Sequence, residues 1–454
     1  MRDRSHGVDI NSRIPTKRRC GIGIQVHHRR HPAREAGLSA PRGLPKYLQK
    51  CLQDSSMVIC GPMRILAIHN RYQQPGGEDQ VFVEETALLE SRNHRVLRRE
   101  VHNDQVEHMN RLTLAKNTVW NASAYRELGA LIRRERPDVA HFHNTLPLVS
   151  PSGYYAAKAE GVPVIQTLHN YRLLCPVALF FRDGRVCEDC MGKAVPYPGV
   201  VHGCYRGSRA ASGVVATMLT LHRAWRTWTE MVDVYVALTE FARDKFVAGG
   251  LPAEKILVKP NFVAPDPGRG QGEGGYALFV GRLASEKGIG TMLSAWDQLG
   301  TRTPLKIVGD GPLKDQVVRA AAGRSNVQWL GHRPVADVYA LMRKADMLVF
   351  PSEWYETFGR VAAEAFAAGT PVIAANIGAV AELVEHGRTG LKFRPGDPED
   401  LATQVGWALS HPAELRRMRG EARAEFEAKY TAERNYLALM EIYEAALKRK
   451  KVPA

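Results

Sequence analysis

The sequence predicts an α/β protein of two Rossmann-like domains whose parallel sheets face a central cleft. Three observations carry this expectation. Short apolar runs that fit buried strands alternate with helix-length segments along most of the chain. Several runs end in glycine- or histidine-bearing turns, as expected where parallel strands deliver loops to the carboxyl edge of a sheet. A stretch dense in Pro and Gly, 265–275, then divides the alternation into two halves. At 454 residues the chain is too long for one core and suits two.

Hydrophobic content of 44% and charged content of 24% are those of a globular protein. No apolar run approaches the roughly 20 residues that a membrane-crossing helix requires. The net charge of +15 is uneven, because residues 1–62 hold 12 Lys or Arg against 4 Asp or Glu. That segment, with Lys17-Arg18-Arg19 and a His- and Arg-rich run over 27–31, lacks an apolar period and the apolar core of a secretory signal. It reads as a basic, disordered extension, or as sequence upstream of a start at Met63, with an anionic-membrane or nucleic-acid arm as the other use of its charge. No recognisable nucleic-acid module accompanies it.

The first domain is expected over 63–264. Arg64 to His69 reads as a buried strand, and the turn holding Gly76 and Gly77 leads into a helix bearing Val81, Val83 and Leu88. Val96 to Val101 and Asp138 to Asn144 read as further strands around a helix near 122–134. Strand alternation puts His141 and His143 on one face, where a core or cleft role outweighs metal binding because no third ligand is evident nearby. Pro163 to Tyr171 repeats the design and delivers His169 to the sheet edge. An insertion, 175–210, holds Cys175, Cys187, Cys190 and Cys204 with eleven, two and thirteen residues between successive members. These suit either a tetrahedral structural zinc site or reduced thiols in an irregular loop. A Leu-, Trp- and Arg-rich helix is expected over 214–230, with Trp225 and Trp228 in the core or against anionic lipid. A strand over 232–239, a helix over 240–249 and a strand from Ile256 complete the domain.

The second domain, 276–430, opens with Ala277 to Val280, Gly281, Arg282 and, five residues after Arg282, Lys287 before Gly288. A forked guanidinium and a compact ammonium after a buried strand suit a pyrophosphate. Leu305 to Val308 leads to Gly309-Asp310-Gly311, another glycine turn at a strand end. Helix 413–448 runs into residues 431–454, the terminal helix and basic tail.

Between these lies the segment that organises the site: Glu356, seven residues, Glu364, then Ala368-Gly369-Thr370-Pro371-Val372-Ile373. With Thr357 as N-cap, the amides of Phe358, Gly359 and Arg360 would leave the start of a helix over 358–368 as an anion site. Carboxylates repel phosphate, so Glu356 and Glu364 suit neutral hydroxyls beside it.

This pattern resembles the donor-site signature of family 4 glycosyltransferases, retaining enzymes of the GT-B type, and the resemblance covers about residues 63–445. It implies that Glu356 binds hydroxyls of the transferred sugar and Glu364 the ribose. It also implies that Arg282 and Lys287 clamp the pyrophosphate, and that Gly76 and Gly77 lie across the cleft near the acceptor. Thr167-Leu168-His169 is similar to the family's Thr-x-His motif, whose histidine contacts the donor. Asn170 stands where many relatives have Asp, which puts a basic role there in doubt. Relatives use the terminal helix to brace the first domain.

The expected activity is transfer of a hexosyl group from a UDP-, GDP- or ADP-linked sugar to a saccharide or lipid-linked saccharide, in surface polysaccharide or glycolipid assembly. No cofactor or metal is required, and the location is cytoplasmic or peripheral at the inner membrane face. A nucleotide-sugar epimerase and a non-catalytic nucleotide-sugar sensor are the other classes.

Overall fold

The computed structural model describes residues 61–73 and 76–450. The expectations for the basic extension therefore fall almost wholly outside the described residues. So does part of the turn before Gly76.

Two six-stranded sheets form the frame. The first is made of β1 (Arg64–Arg71), β2 (Arg95–His102), β3 (Val139–Asn144), β4 (Val164–Thr167), β7 (Val234–Ala237) and β8 (Ile256–Val258), in the order β2-β1-β3-β4-β7-β8. All of its pairings are parallel. The second is made of β9 (Ala277–Val280), β10 (Leu305–Val308), β11 (Val327–Gly331), β12 (Met347–Phe350), β13 (Val372–Ala375) and β14 (Gly390–Phe393), in the order β11-β10-β9-β12-β13-β14. It too is parallel throughout. Helices cover both faces, so β3, β4, β7, β12 and β13 are buried at every position. This is why β7, β12 and β13 read as continuous apolar runs rather than alternating ones, while the buried polar members of β3 and β4 (His141, His143, Asn144, Gln166 and Thr167) each find a polar partner. A small antiparallel hairpin, β5 (Phe181–Arg182) with β6 (Arg185–Val186), lies in the cysteine-bearing insertion.

Three sequence expectations shift. The helix expected over 214–230 is two helices, Arg209–Ala224 and Thr227–Glu230. The break falls at Arg226, whose left-handed backbone (φ 56°) cannot continue a helix. It buries Trp228 and leaves Trp225 49% exposed. The terminal helix is likewise two, Pro412–Lys429 and Ala432–Lys450. The second returns to the first sheet, where Leu439, Ile442, Tyr443 and Ala446 pack against Met63, Ile65, Val139, Ile165 and Val234. The stretch 265–275 adheres to the second half rather than spanning freely. The amides of Gly270, Gly272 and Gly274 donate to the carbonyls of Ala368, Arg343 and Lys344, and Asp266 pairs with Arg423 at 2.7 Å.

Candidate active site

The carboxyl edges of β9, β10 and β12 meet at one place. A side chain at Gly288, itself left-handed (φ 68°), would lie 1.9 Å from the Pro351 carbonyl, and one at Gly309 would lie 1.9 Å from the Gly281 carbonyl. Glycine at both positions lets the loops after these strands touch. The Glu353 amide also donates to the Glu286 carbonyl at 2.9 Å.

Lys287 and Glu356 are thereby brought together. The Lys287 ammonium donates to Glu356 Oε1 at 2.5 Å. The Ser352 hydroxyl and the Trp354 indole N–H donate to the same oxygen, each at 2.9 Å. Three donors on one oxygen orient the carboxylate and leave Oε2 without a protein partner among the described residues. Lys287 Nζ also sits 5.1 Å from the Trp354 ring centroid. Arg282 lies exposed just past the end of β9, five residues before Lys287. The loop of Gly309 and Gly311 lies next to it, with the Leu283 amide donating to the Asp310 carbonyl at 2.9 Å.

The helix after this loop starts later than the sequence suggested. It spans Arg360–Ala367 and its cap is Gly359, with a left-handed backbone (φ 92°). Thr357 is not the cap; its hydroxyl donates instead to the His169 carbonyl at 2.8 Å. Phe358 contributes its ring to the core against Tyr430, with centroids 5.8 Å apart. Glu364 accepts from Arg360 Nε at 2.8 Å, and Arg360 reaches across to Glu84 on the helix Gly77–Ser91 at 2.6 Å. Burial pushes the Glu364 carboxyl up from its ordinary range, while Arg360 opposes that shift.

The facing wall comes from the first sheet. His169 follows β4 and is half-buried. Its ring stacks on His143, with centroids 5.2 Å apart and Nε2 lying 3.0 Å from His143 Nδ1. Burial pushes both imidazoles well below the usual range, so they are neutral. Asn170 donates to Glu78 at 3.1 Å, tying this loop to the helix that Gly76 caps. The Asp79 carboxylate accepts from the Gly76 amide at 2.7 Å. The Tyr171 hydroxyl donates to the Glu356 carbonyl at 3.3 Å, and Thr239 donates to the Thr357 carbonyl at 3.2 Å. The Glu356 loop therefore rests on the first half by several polar contacts.

Of the residues expected from sequence, Lys287, Glu356, Thr357 and His169 are linked by direct contacts. Glu364 is joined to the first half through Arg360, and Gly281 and Gly311 shape the loops beneath Arg282. Sequence reasoning named Arg360 only for its amide and missed its side chain, and it missed Glu84 and Lys259, each embedded in an unremarkable segment. It also missed an acid that completes a group of three with the paired histidines. Glu85 lies 3.5 Å from His141 Nδ1 and 3.4 Å from His143 Nε2, arriving from a helix distant in sequence. Among the described residues these three are the side chains grouped closely enough to share one ion, and the four cysteines are not such a group. Glu85 is already paired with a cation at its other oxygen, since Lys259 Nζ is 2.7 Å from Glu85 Oε2. His141 is engaged at both nitrogens, by Tyr443 at 3.0 Å and Thr167 at 2.7 Å.

Comparison with known proteins identifies the family. Residues 63–261 match the glycosyl transferase 4-like domain, and residues 268–425 match glycosyl transferases group 1. The chain belongs to the family 4 glycosyltransferases. A glycogen synthase of Mycobacterium tuberculosis is 34% identical over 336 residues, covering 71% of this chain and 72% of that protein. A 2-deoxystreptamine glucosyltransferase of Streptomyces kanamyceticus is 30% identical over 330 residues, covering 70% and 80%. Among solved structures, a glycosyltransferase from Rickettsia africae superposes with a TM-score of 0.64 at 18% identity, over 86% of this chain and all of that one. Anabaena HepE in complex with UDP-glucose gives 0.61 at 18% identity, over 84% and 100%. The architecture is the GT-B fold of this family. No helix among the described residues is long and apolar enough to cross a membrane.

Proposed function

We propose that this family member is a retaining enzyme that moves a hexosyl group from a nucleoside diphosphate sugar to a hydroxyl of a saccharide or lipid-linked saccharide. The observation that carries the reading is the Lys287–Glu356 contact of 2.5 Å at the meeting of the β9 and β12 loops. An ammonium has three donors, and Glu356 uses one. Two remain for the diphosphate, while Glu356 Oε2 remains for a sugar hydroxyl. The two residues thus address opposite ends of the bond to be broken. That the solved relative of the same fold holds UDP-glucose supports a nucleotide-sugar donor.

As the bond from the anomeric carbon to phosphate oxygen breaks, a new bond forms from that carbon to the acceptor oxygen. The acceptor proton passes to the departing phosphate on the same face, which preserves configuration. Charge collects on the diphosphate, where Arg282, Lys287 and the free amides at the start of the helix Arg360–Ala367 bind it more strongly in the transition state than before. Glu364 takes the ribose, and His169 closes over the sugar from the other wall. A lipid-linked acceptor suits the half-exposed Tyr197 and Val201 near Lys193, whose ammonium lies 5.5 Å from the Tyr197 ring. It would place the enzyme at the inner membrane face in surface glycan assembly.

A thermal-shift panel of UDP-, GDP-, ADP- and dTDP-sugars tests the reading, because a ligand specific to the native state raises the melting temperature. One class should do so and then support transfer to a saccharide acceptor. No shift with any donor, or release of free sugar without acceptor as the only product, would overturn it.

A further inference from the structure

Beneath His169 lies a buried chain of polar groups that the transfer chemistry above does not use. Lys259 and Glu85 are each 1% exposed and joined at 2.7 Å. Glu85 Oε1 makes no hydrogen bond and stands 3.4 Å from His143 Nε2. His143 is 3% exposed, and its Nδ1 is 3.0 Å from His169 Nε2. His169 Nδ1 has no partner among the described residues, and the residue is half-buried at the cleft wall.

The protons along this chain follow from electrostatics. With both rings neutral, one nitrogen of each imidazole carries a proton and the other a lone pair. A lone pair on His143 Nε2 would face the Glu85 carboxylate in a low-dielectric interior, which is repulsive. A proton there is attracted instead. His143 Nδ1 is then the acceptor, so His169 donates to it from Nε2 and keeps a lone pair on Nδ1. Which ring nitrogen is protonated is set by the bond the other makes, and here the setting begins two side chains away.

We propose that His143, oriented by the buried Lys259–Glu85 pair, is a positioning residue that fixes His169 as a hydrogen-bond acceptor toward the cleft. Resting on the function proposed above, this selects a donor sugar presenting a neutral hydroxyl to His169, and disfavours one presenting a carboxylate there. A carboxylate offers lone pairs to a lone pair, whereas a hydroxyl offers a proton.

The tautomer is read directly, without any donor, by long-range proton–nitrogen correlation spectra of protein labelled with nitrogen-15 histidine. A His169→Gln variant assigns the His169 signals. The expected result is a protonated Nε2 and the strongly deshielded signal of an unprotonated Nδ1. His143→Asn, which keeps an acceptor near the Nδ1 position, should preserve that pattern. His143→Leu, with folding verified by circular dichroism, should give a mixture of both forms. A proton on Nδ1 in the wild type, or an unchanged pattern in a folded His143→Leu protein, would overturn the proposal. Because no nucleotide sugar is present, either failure leaves the donor assignment untouched, and failure of the donor panel leaves the tautomer measurement valid.

Discussion

The Thr357 hydroxyl donates to the His169 backbone carbonyl at 2.8 Å, joining the loop that carries Glu356 to the wall that carries the histidine. The residue that sequence logic would make a helix cap is instead a latch between the two halves of the site. Its removal should loosen the closed arrangement without disturbing either core. A net hydrogen bond is worth about 1 kcal/mol. Thr357→Val should therefore raise the donor KM about fivefold with little change in melting temperature, and an unaltered KM would count against the latch.

Glu356 and Lys287 share one contact but are expected to fail differently. Glu356→Gln keeps the shape and the acceptor oxygen while removing the charge that holds Lys287. Lys287→Ala removes a diphosphate cation. Losing one pre-organised charged group at such a centre costs on the order of 10²–10³ in kcat. Steady-state transfer assays on both variants, with near-native circular dichroism, should show losses of that size. Near-normal turnover in either would contradict the assigned roles.

Lys259→Met leaves Glu85 as an uncompensated charge in the interior. Breaking such a pair from one side typically costs about 3–5 kcal/mol. Urea unfolding should show a loss of that order for the single variant and recovery of much of it in Lys259→Met/Glu85→Gln. Equal loss in both would mean that charge imbalance is not the cause.

Acid should destabilise the protein through its buried imidazoles. Burial pushes His141 down to about 4, with Glu85 opposing and Lys259 adding to the effect, and burial shifts His143 and His169 in the same direction. Free histidine titrates near 6.5, so between that value and the native one the unfolded chain binds protons that the folded chain refuses. Stability then falls on acidification by about 1.4 kcal/mol per pH unit for each such group. Urea midpoints measured from pH 7 to pH 5 should decline, most steeply below 6.5. A flat profile would exclude this contribution.

Much of the frame was legible because parallel strands buried on both faces are largely apolar, and β7, β12 and β13 announce themselves that way, while β3 and β4 begin apolar and end in polar groups at the sheet's carboxyl edge. Lys287 and Glu356 were legible because charged residues in the loops after such strands stand out, and Glu364 because of its spacing from Glu356. Their pairing was not. Nothing in the spacing says that Lys287 bonds Glu356, since the loops meet only through glycine contacts far apart in the chain. Arg360 and Glu84 were hidden for a related reason, since each looks like an ordinary exposed helix charge until the opposite half supplies its partner. The break at Arg226 was missed because an arginine carries no signal of a left-handed backbone. The return of Ala432–Lys450 to the first sheet was foreseen only through family likeness.

That return has a mechanical consequence. The polypeptide passes between the lobes twice, once before β9 and once at Tyr430, and the two passages are fastened side by side where the Val263 amide donates to the Tyr430 carbonyl at 3.0 Å. Tethered side by side at one place, the lobes are expected to part by pivoting about that fastening when a donor enters or its spent diphosphate leaves, and the contacts of Thr357 and Arg360 with the first half are the ones that must break.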